Sequence, residues 1–254
     1  MSALVVFDLD GTLLDSLGDL AQACNHALAL HGLPGHEKET YKRFVGDGVR
    51  KLVERMTPNE VHTPALLDQI QADYEAYYAA HMEDLTAPYA GVPELLEAVA
   101  ARGGKMAVLS NKPHVFTLPI CERFFGEQFS VVHGQREGYP RKPDASLVHE
   151  ILELTATPVE KCIYVGDSGV DMQTAKNAGV FAVGVLWGFR ERAELESCGA
   201  DALVKHPMEI LEYLPGLAGN LRFRRFQFSP GWSILSIDVG DIFHVIYKGK
   251  YSEF

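Results

Sequence analysis

The sequence predicts an α/β protein: a doubly wound parallel sheet, interrupted after its first strand by an inserted all-helical domain. Three observations predict it. Short apolar runs of strand length recur at residues 4–7, 105–109, 162–165 and 180–185, as expected of strands buried on both faces. Segments of helical period separate them, the order that a parallel sheet covered by helices requires. Between residues 16 and 87, by contrast, only the helical period is present.

The first strand, residues 4–7, runs into Asp8-Leu9-Asp10-Gly11-Thr12-Leu13-Leu14-Asp15-Ser16. Side chains two apart on an extended segment point the same way. Asp8 and Asp10 therefore both face the space beyond the strand's C-terminal end, where open α/β sheets place their ligands. Two carboxylates this close repel unless a cation or a shared proton intervenes. An isolated Asp-x-Asp is more often a surface turn or a helix cap; the longer string is far more specific.

The insert follows. Leu20, Cys24, Ala27 and Leu28 give a helix over 17–33 that stops at Gly32. A second helical piece is expected over 37–45, ending at Gly46-Asp47-Gly48. A third, 49–56, places Val49, Leu52, Val53 and Met56 on one face. Thr63 as N-cap and Pro64 at the first helical position open a long helix. Its apolar stripe is Leu66, Leu67, Ile70, Tyr74, Tyr77 and Tyr78, which reads as bundle core rather than a cofactor box.

Residues 88–91 mark the return to alternation. A helix from Pro93 stops at Gly103-Gly104, and the strand 105–109 ends in Ser110-Asn111-Lys112. A helix over 113–125 and a short strand near 129–132 come next. The loop 133–143 leads to a helix bearing Leu147, Val148, Ile151 and Leu152. The strand 162–165 ends in Gly166-Asp167-Ser168, followed by a helix over 170–178, a strand over 180–185 and the loop 186–190. The domain organisation read from this is a core of residues 1–15 and 88–215, a helical cap of 16–87, and an extension of 216–254. In that extension Arg222 to Phe228 is basic and aromatic, read as a packing segment. Residues 233–239 and 242–248 are strand-like, with Gly240-Asp241 fitting a type II′ hairpin connection.

Composition excludes several function classes. Acidic residues outnumber Lys and Arg 34 to 23, for a net charge of −11, which argues against a nucleic-acid backbone as partner. A small anion remains compatible, because a pocket can be locally positive. The four cysteines are scattered with no Cys-x-x-Cys pair, so neither a zinc site nor a disulfide framework is expected. No apolar run reaches membrane-spanning length and no signal peptide is read before Val5, so a cytoplasmic protein without a membrane partner is the expectation.

Polar residues thus arrive together on one sheet edge: Asp8 and Asp10, Ser110, Asp167, and Lys142 at a helix start. Each alone reads as a cap, a turn residue or a solvated charge. Together they form a phosphoryl-transfer set, which needs an in-line nucleophile, charge neutralisation and proton management. Asp8 is the candidate nucleophile and Asp10 the acid and base. Ser110 and the Asn111 backbone N–H would receive phosphoryl oxygens, and Lys142 would neutralise developing charge. Mg²⁺, a cation that takes few carboxylates plus phosphate oxygens, would sit on Asp8 and Asp167. Asp171, one helical turn past Asp167, would hold the metal's waters or orient Lys142.

Motif by motif, Asp8 to Thr12, Ser110, Lys142 and Gly166-Asp167-Ser168-Gly169-Val170-Asp171 resemble the haloacid dehalogenase superfamily of phosphatases. The resemblance runs over residues 3–214. It is nearest to the phosphoglycolate phosphatase group on Phe44-Val45-Gly46-Asp47-Gly48, Leu186-Trp187-Gly188-Phe189-Arg190 and Cys198-Gly199-Ala200-Asp201. One departure is that Asp144 follows Pro143 directly, where the family often has one residue and a second proline between. The resemblance implies a Rossmann-like core with a helical cap. It implies a Mg²⁺-dependent phosphatase of a small phosphorylated metabolite, working through an aspartyl-phosphate. It adds the Asp10 carbonyl as metal ligand, Thr12 at the substrate and Ser168 beside the metal site. Substrate choice is expected in the cap, from Gly46 and, among Lys42, Arg43, Arg50 and Lys51, from Arg50. A pyrophosphatase or a sugar phosphomutase would share every core motif. A catalytically idle binding protein on the same fold is disfavoured by the intact set.

Overall fold

The computed structural model describes residues 2–214 and, beyond them, the backbone of three strands at 224–228, 232–239 and 242–244. The chain divides into two units, Met1–Leu214 and Pro215–Phe254.

In the first unit β1, Leu4–Phe7, is followed by the two-residue strand β2, Leu14–Asp15. The helices α1 (Leu17–Leu30), α2 (Val49–Met56) and α3 (Pro64–His81) come next, and β3, Ala87–Pro88, pairs antiparallel with β2. Exit and return of the helical segment therefore lie side by side. Beyond it the chain alternates: α4 (Val92–Ala101), β4 (Lys105–Pro113), α5 (His114–Phe125), β5 (Val131–Gln135), α6 (Ser146–Leu154), β6 (Cys162–Gly166), α7 (Gly169–Ala178), β7 (Phe181–Val185), α8 (Arg192–Ser197) and β8 (Ala202–Val204).

Among the described residues six strands form one parallel sheet in the order β5-β4-β1-β6-β7-β8. β1 is central, with β4 on one side and β6 on the other, so its C-terminal end is the point at which the strand order reverses. The expected doubly wound sheet is present. β1 shows why its residues form it: Val5 and Phe7 pack into one apolar cluster, Leu4 and Val6 into the other, and all four are fully buried. The Val5 face continues into the helical segment through Leu17, Leu20, Cys24, Leu52, Ile70, Tyr74 and Tyr78.

Within that segment Thr63 caps α3, accepting from Leu66 N at 3.2 Å, a contact worth about 1 kcal/mol. The buried stripe of α3 is Leu67, Ile70, Tyr74 and Tyr78, turned against α1 and α2. Asp19 on α1 is buried and accepts from Leu85 N, Thr86 N and the Thr86 hydroxyl at 2.6–2.9 Å, which fastens the returning chain beside β2. Two differences from the expected elements stand out. Residues 38–43 form a 3-10 turn rather than an α-helix, holding Tyr41 in the core. The edge strand β8 went unread because three residues carry no period.

Among the described residues no helix is long and apolar enough to cross a membrane. In the second unit β9 (Arg224–Phe228), β10 (Trp232–Val239) and β11 (Ile242–His244) form an antiparallel sheet in the order β11-β10-β9. The expected pairing of the last two strands is there, in the register Val239↔Ile242, and the basic-aromatic segment supplies a third strand. The expected Gly240-Asp241 turn and residues 245–248 lie outside the described residues.

Candidate active site

Asp8 continues β1 by one residue, donating its N–H to the Val165 carbonyl on β6 at 2.9 Å. The chain then turns at Gly11, whose φ of +86° suits glycine, and any side chain there would collide with the Asp167 carboxylate. The turn thus brings Asp8 and Asp10 over β1 while leaving room for Asp167 from β6.

β4 delivers Ser110, Asn111 and Lys112, all buried, where its pairing with β5 shifts register between Leu109 and Pro113. The Asn111 side chain is a tie: Oδ1 accepts from Lys142 N at 2.9 Å, and Nδ2 donates to the Gly46 carbonyl at 3.0 Å. It fixes the Lys142 loop on one side and the Gly46 turn of the helical segment on the other. β6 delivers Asp167, and Ser168 caps α7 in a capping box with Asp171.

The charges are packed tightly. Lys142 Nζ lies 2.8 Å from Asp8 Oδ1 and 2.7 Å from Asp171 Oδ1. The approach to Asp8 is an ion-pair contact, and Asp8 Oδ1 accepts no well-aligned hydrogen bond although it is shielded from solvent. Both oxygens of Asp171 are used, Oδ1 by Lys142 and Oδ2 by the Ser168 backbone N–H and hydroxyl. Asp167 accepts from Phe189 N at 2.7 Å and from the Thr12 hydroxyl at 3.3 Å. Asp10 is held by the Ser16 hydroxyl at 2.6 Å and by Lys112 Nζ at 3.0 and 3.1 Å, and Lys112 in turn meets the Tyr78 hydroxyl at 2.6 Å.

Burial first, and then the charge of Asp171, push Asp8 up to about 7 against the pull of Lys142. Burial, Asp171 and Asp8 push Asp167 up to about 8 against the Phe189 N–H and Arg190. Burial works against the charge on Lys142, but Asp171 and Asp8 outweigh it and hold the ammonium well above the usual lysine range. Oxygens of Asp8, Asp167 and Asp171 lie within 4.8 Å of one another, balanced by Lys142 alone at direct contact. An all-oxygen donor set short of positive charge fits a hard divalent cation.

One cavity with about 50 Å³ of free space joins these groups. Asp8, Asp10, Ser110, Asn111, Lys142, Asp167, Ser168 and Gly46 all line it, as the sequence led one to expect. Three expected residues do not. Asp171 is fully buried, with its oxygens taken by Lys142 and Ser168. Thr12 is buried behind the site, with its hydroxyl on Asp167 and its carbonyl accepting from Trp187 Nε1 at 3.0 Å. Arg50 is turned outward, its guanidinium 2.6 Å from Asp68 and 3.6 Å from Glu54. A helix face has room for both directions, and the i,i+4 pair with Glu54 was the sign of a surface role. Lys112 and Arg190 also line the cavity, although the sequence pattern assigns neither a role. Lys112 is two residues past Ser110 on an extended strand, a spacing that puts both on one side.

Comparison with known proteins gives this edge a lineage. The family model for haloacid dehalogenase-like hydrolases matches residues 5–185. A phosphoglycolate phosphatase of Agrobacterium fabrum is 32% identical over 195 residues, covering 75% of this chain and 83% of the relative. One of Mesorhizobium japonicum is 30% identical over 224 residues, covering 85% and 98%. Among solved structures, a candidate phosphoglycolate phosphatase of Lactobacillus delbrueckii subsp. bulgaricus superposes with a TM-score of 0.80 at 30% identity, over 85% of this chain and 100% of that one. The match spans both the strand-end carboxylates and the sheet that carries them, and the chain belongs to the haloacid dehalogenase-like hydrolase family.

Proposed function

We propose that this chain is a Mg²⁺-dependent phosphatase of a small phosphomonoester, phosphoglycolate or a near analogue, working through an aspartyl-phosphate on Asp8. The observation that carries the reading is the placement of Asp8 at the switch point of the sheet, 2.8 Å from Lys142 and beside Asp167. The relatives named phosphoglycolate phosphatase support the choice of substrate.

Asp8 attacks phosphorus in line with the departing oxygen, and the ester oxygen leaves with a proton from Asp10. Asp10 then takes a proton from the water that hydrolyses the acyl phosphate. Ser16 and Lys112 hold the Asp10 carboxylate for both transfers. Lys142 balances charge on Asp8 and on the phosphoryl group, and Asp171 keeps Lys142 in place. The Ser110 hydroxyl and the Asn111 N–H receive phosphoryl oxygens. Asp8, Asp167 and the Asp10 carbonyl would hold Mg²⁺, while Asp171, fully buried with its oxygens on Lys142 and Ser168, would keep Lys142 in place. Such an ion supplies charge neutralisation for the crowded carboxylates and the phosphoryl oxygens. The helical segment 16–87 acts as a cap, its Gly46 turn tied to Asn111 and its apolar side chains closing the cavity against water.

The test is phosphate release from phosphoglycolate. Release with Mg²⁺, its loss in excess chelator and its return with added Mg²⁺ are expected. No release from phosphoglycolate or from a generic aryl phosphate would overturn the reading.

A further inference from the structure

Three cations line the cavity among the described residues, and two are fully engaged: Lys142 between Asp8 and Asp171, and Lys112 on Asp10. Arg190 differs. Its Nη2 donates to the Val45 carbonyl at 2.7 Å and its Nε lies 3.4 Å from Glu194 Oε1, while Nη1 is shielded from solvent and has no hydrogen-bond partner. A charged donor left unpaired in a shielded place is costly, and an arriving acceptor removes that cost.

The position of Arg190 suits a ligand's far end. Its neighbour Phe189 donates its N–H to Asp167, so the loop that carries Arg190 is bonded directly to the carboxylate cluster. The side chain reaches from there to the Val45–Gly46 turn, and a Cβ on Gly46 would lie 3.5 Å from Nη2. The rest of this wall is Leu20, Val45, Val49, Leu52 and Tyr74, which offer no charge to an anion.

We propose that Arg190 reads the non-reacting end of the substrate and selects a carboxylate there. The substrate is then a compact phosphomonoester with a carboxylate close to the ester oxygen. The proposal rests on the phosphatase reading above and names the residue that sets its specificity. A guanidinium matches a carboxylate in its planar fork.

The test uses two inert phosphonates, 3-phosphonopropionate and propylphosphonate, which differ in the carboxylate alone. Calorimetry on the full chain with Mg²⁺ gives the ratio of their affinities. The wild type is expected to favour the carboxylate by roughly tenfold or more, and Arg190→Gln to bring the ratio close to one. Arg190→Lys keeps the charge and loses the fork, so its ratio falls part of the way; should Arg190→Gln fail to fold, this variant decides. No preference in the wild type, or a ratio unchanged in the variants, overturns the proposal. Neither ligand is turned over, so this outcome is distinct from failure of the phosphatase reading, which shows as absence of phosphate release.

Discussion

The cavity has two unlike walls. The sheet edge is a lattice of charges in direct contact, in which Asp8, Lys142 and Asp171 form one chain and Asp10 and Lys112 another, the latter met by the Tyr78 hydroxyl from α3. The wall from the helical segment is Leu20, Val49, Leu52 and Tyr74 with the Gly46 turn, and it meets the core through backbone carbonyls: Val45 to Arg190 and Gly46 to Asn111. One wall is built to move charge, the other to exclude water and fix distance. Substitutions should therefore separate by wall, those on the edge costing rate or, at Arg190, selectivity, and those on the cap costing little.

The largest effect is expected from Asp8→Asn, which keeps the shape of the side chain and removes the nucleophile. Phosphate release should fall by several orders of magnitude with the fold intact by circular dichroism. A tenth of wild-type turnover would break the contrast at its centre. Next comes Asp167→Ala, with loss of Mg²⁺ affinity and of rate together, by roughly a hundredfold or more in kcat/KM. Titration calorimetry with Mg²⁺ checks the binding half independently of turnover.

The pH dependence of stability sharpens the same wall. In the metal-free protein Asp8 and Asp167 bind protons up to about 7 and about 8, whereas the unfolded chain releases them near an ordinary carboxyl value of about 4. The folded state then holds more protons between those limits. Stability of the metal-free protein should fall as pH rises from about 4 toward 8 and level off above. Thermal melts in chelator check the slope, and Mg²⁺ should flatten it by binding the ionised carboxylates.

The smallest effects belong to the cap. Tyr78→Phe removes one hydrogen bond to Lys112 and should cost about 1 kcal/mol of stability with a modest loss of kcat. Arg50→Ala should leave kcat/KM within about twofold, since Arg50 spends its charge on Asp68 and Glu54 at the surface. A large loss in Arg50→Ala would return the substrate-reading role to the cap.

The same division explains what could be read from the sequence. Asp8, Asp10, Ser110 and Asp167 follow apolar runs directly, and the rule that parallel strands end on one edge assembles them without coordinates. The sheet was legible because its main strands are unbroken apolar runs, and the α3 stripe because its helical period is long enough to recognise. Arg50 and Thr12 were misplaced for a different reason: residue type and proximity to a motif do not say which way a side chain turns. Arg50 finds Asp68 across a helix pair, and Thr12 finds Asp167 from a distant strand. Arg190 was visible as part of a motif but had no role until its reach to Val45 was known. The short strand β8 and the 3-10 turn at 38–43 fall below the length at which a period exists.

The central claim is that Asp8 carries the phosphoryl group. Acid quenching of the enzyme during turnover of phosphoglycolate, followed by peptide mass spectrometry, measures it directly. The peptide containing Asp8 should carry the mass of one phosphoryl group, sensitive to hydroxylamine and absent in Asp8→Asn. Phosphoryl mass on a different residue, or steady turnover with Asp8 never labelled under conditions that trap an acyl phosphate, would contradict it.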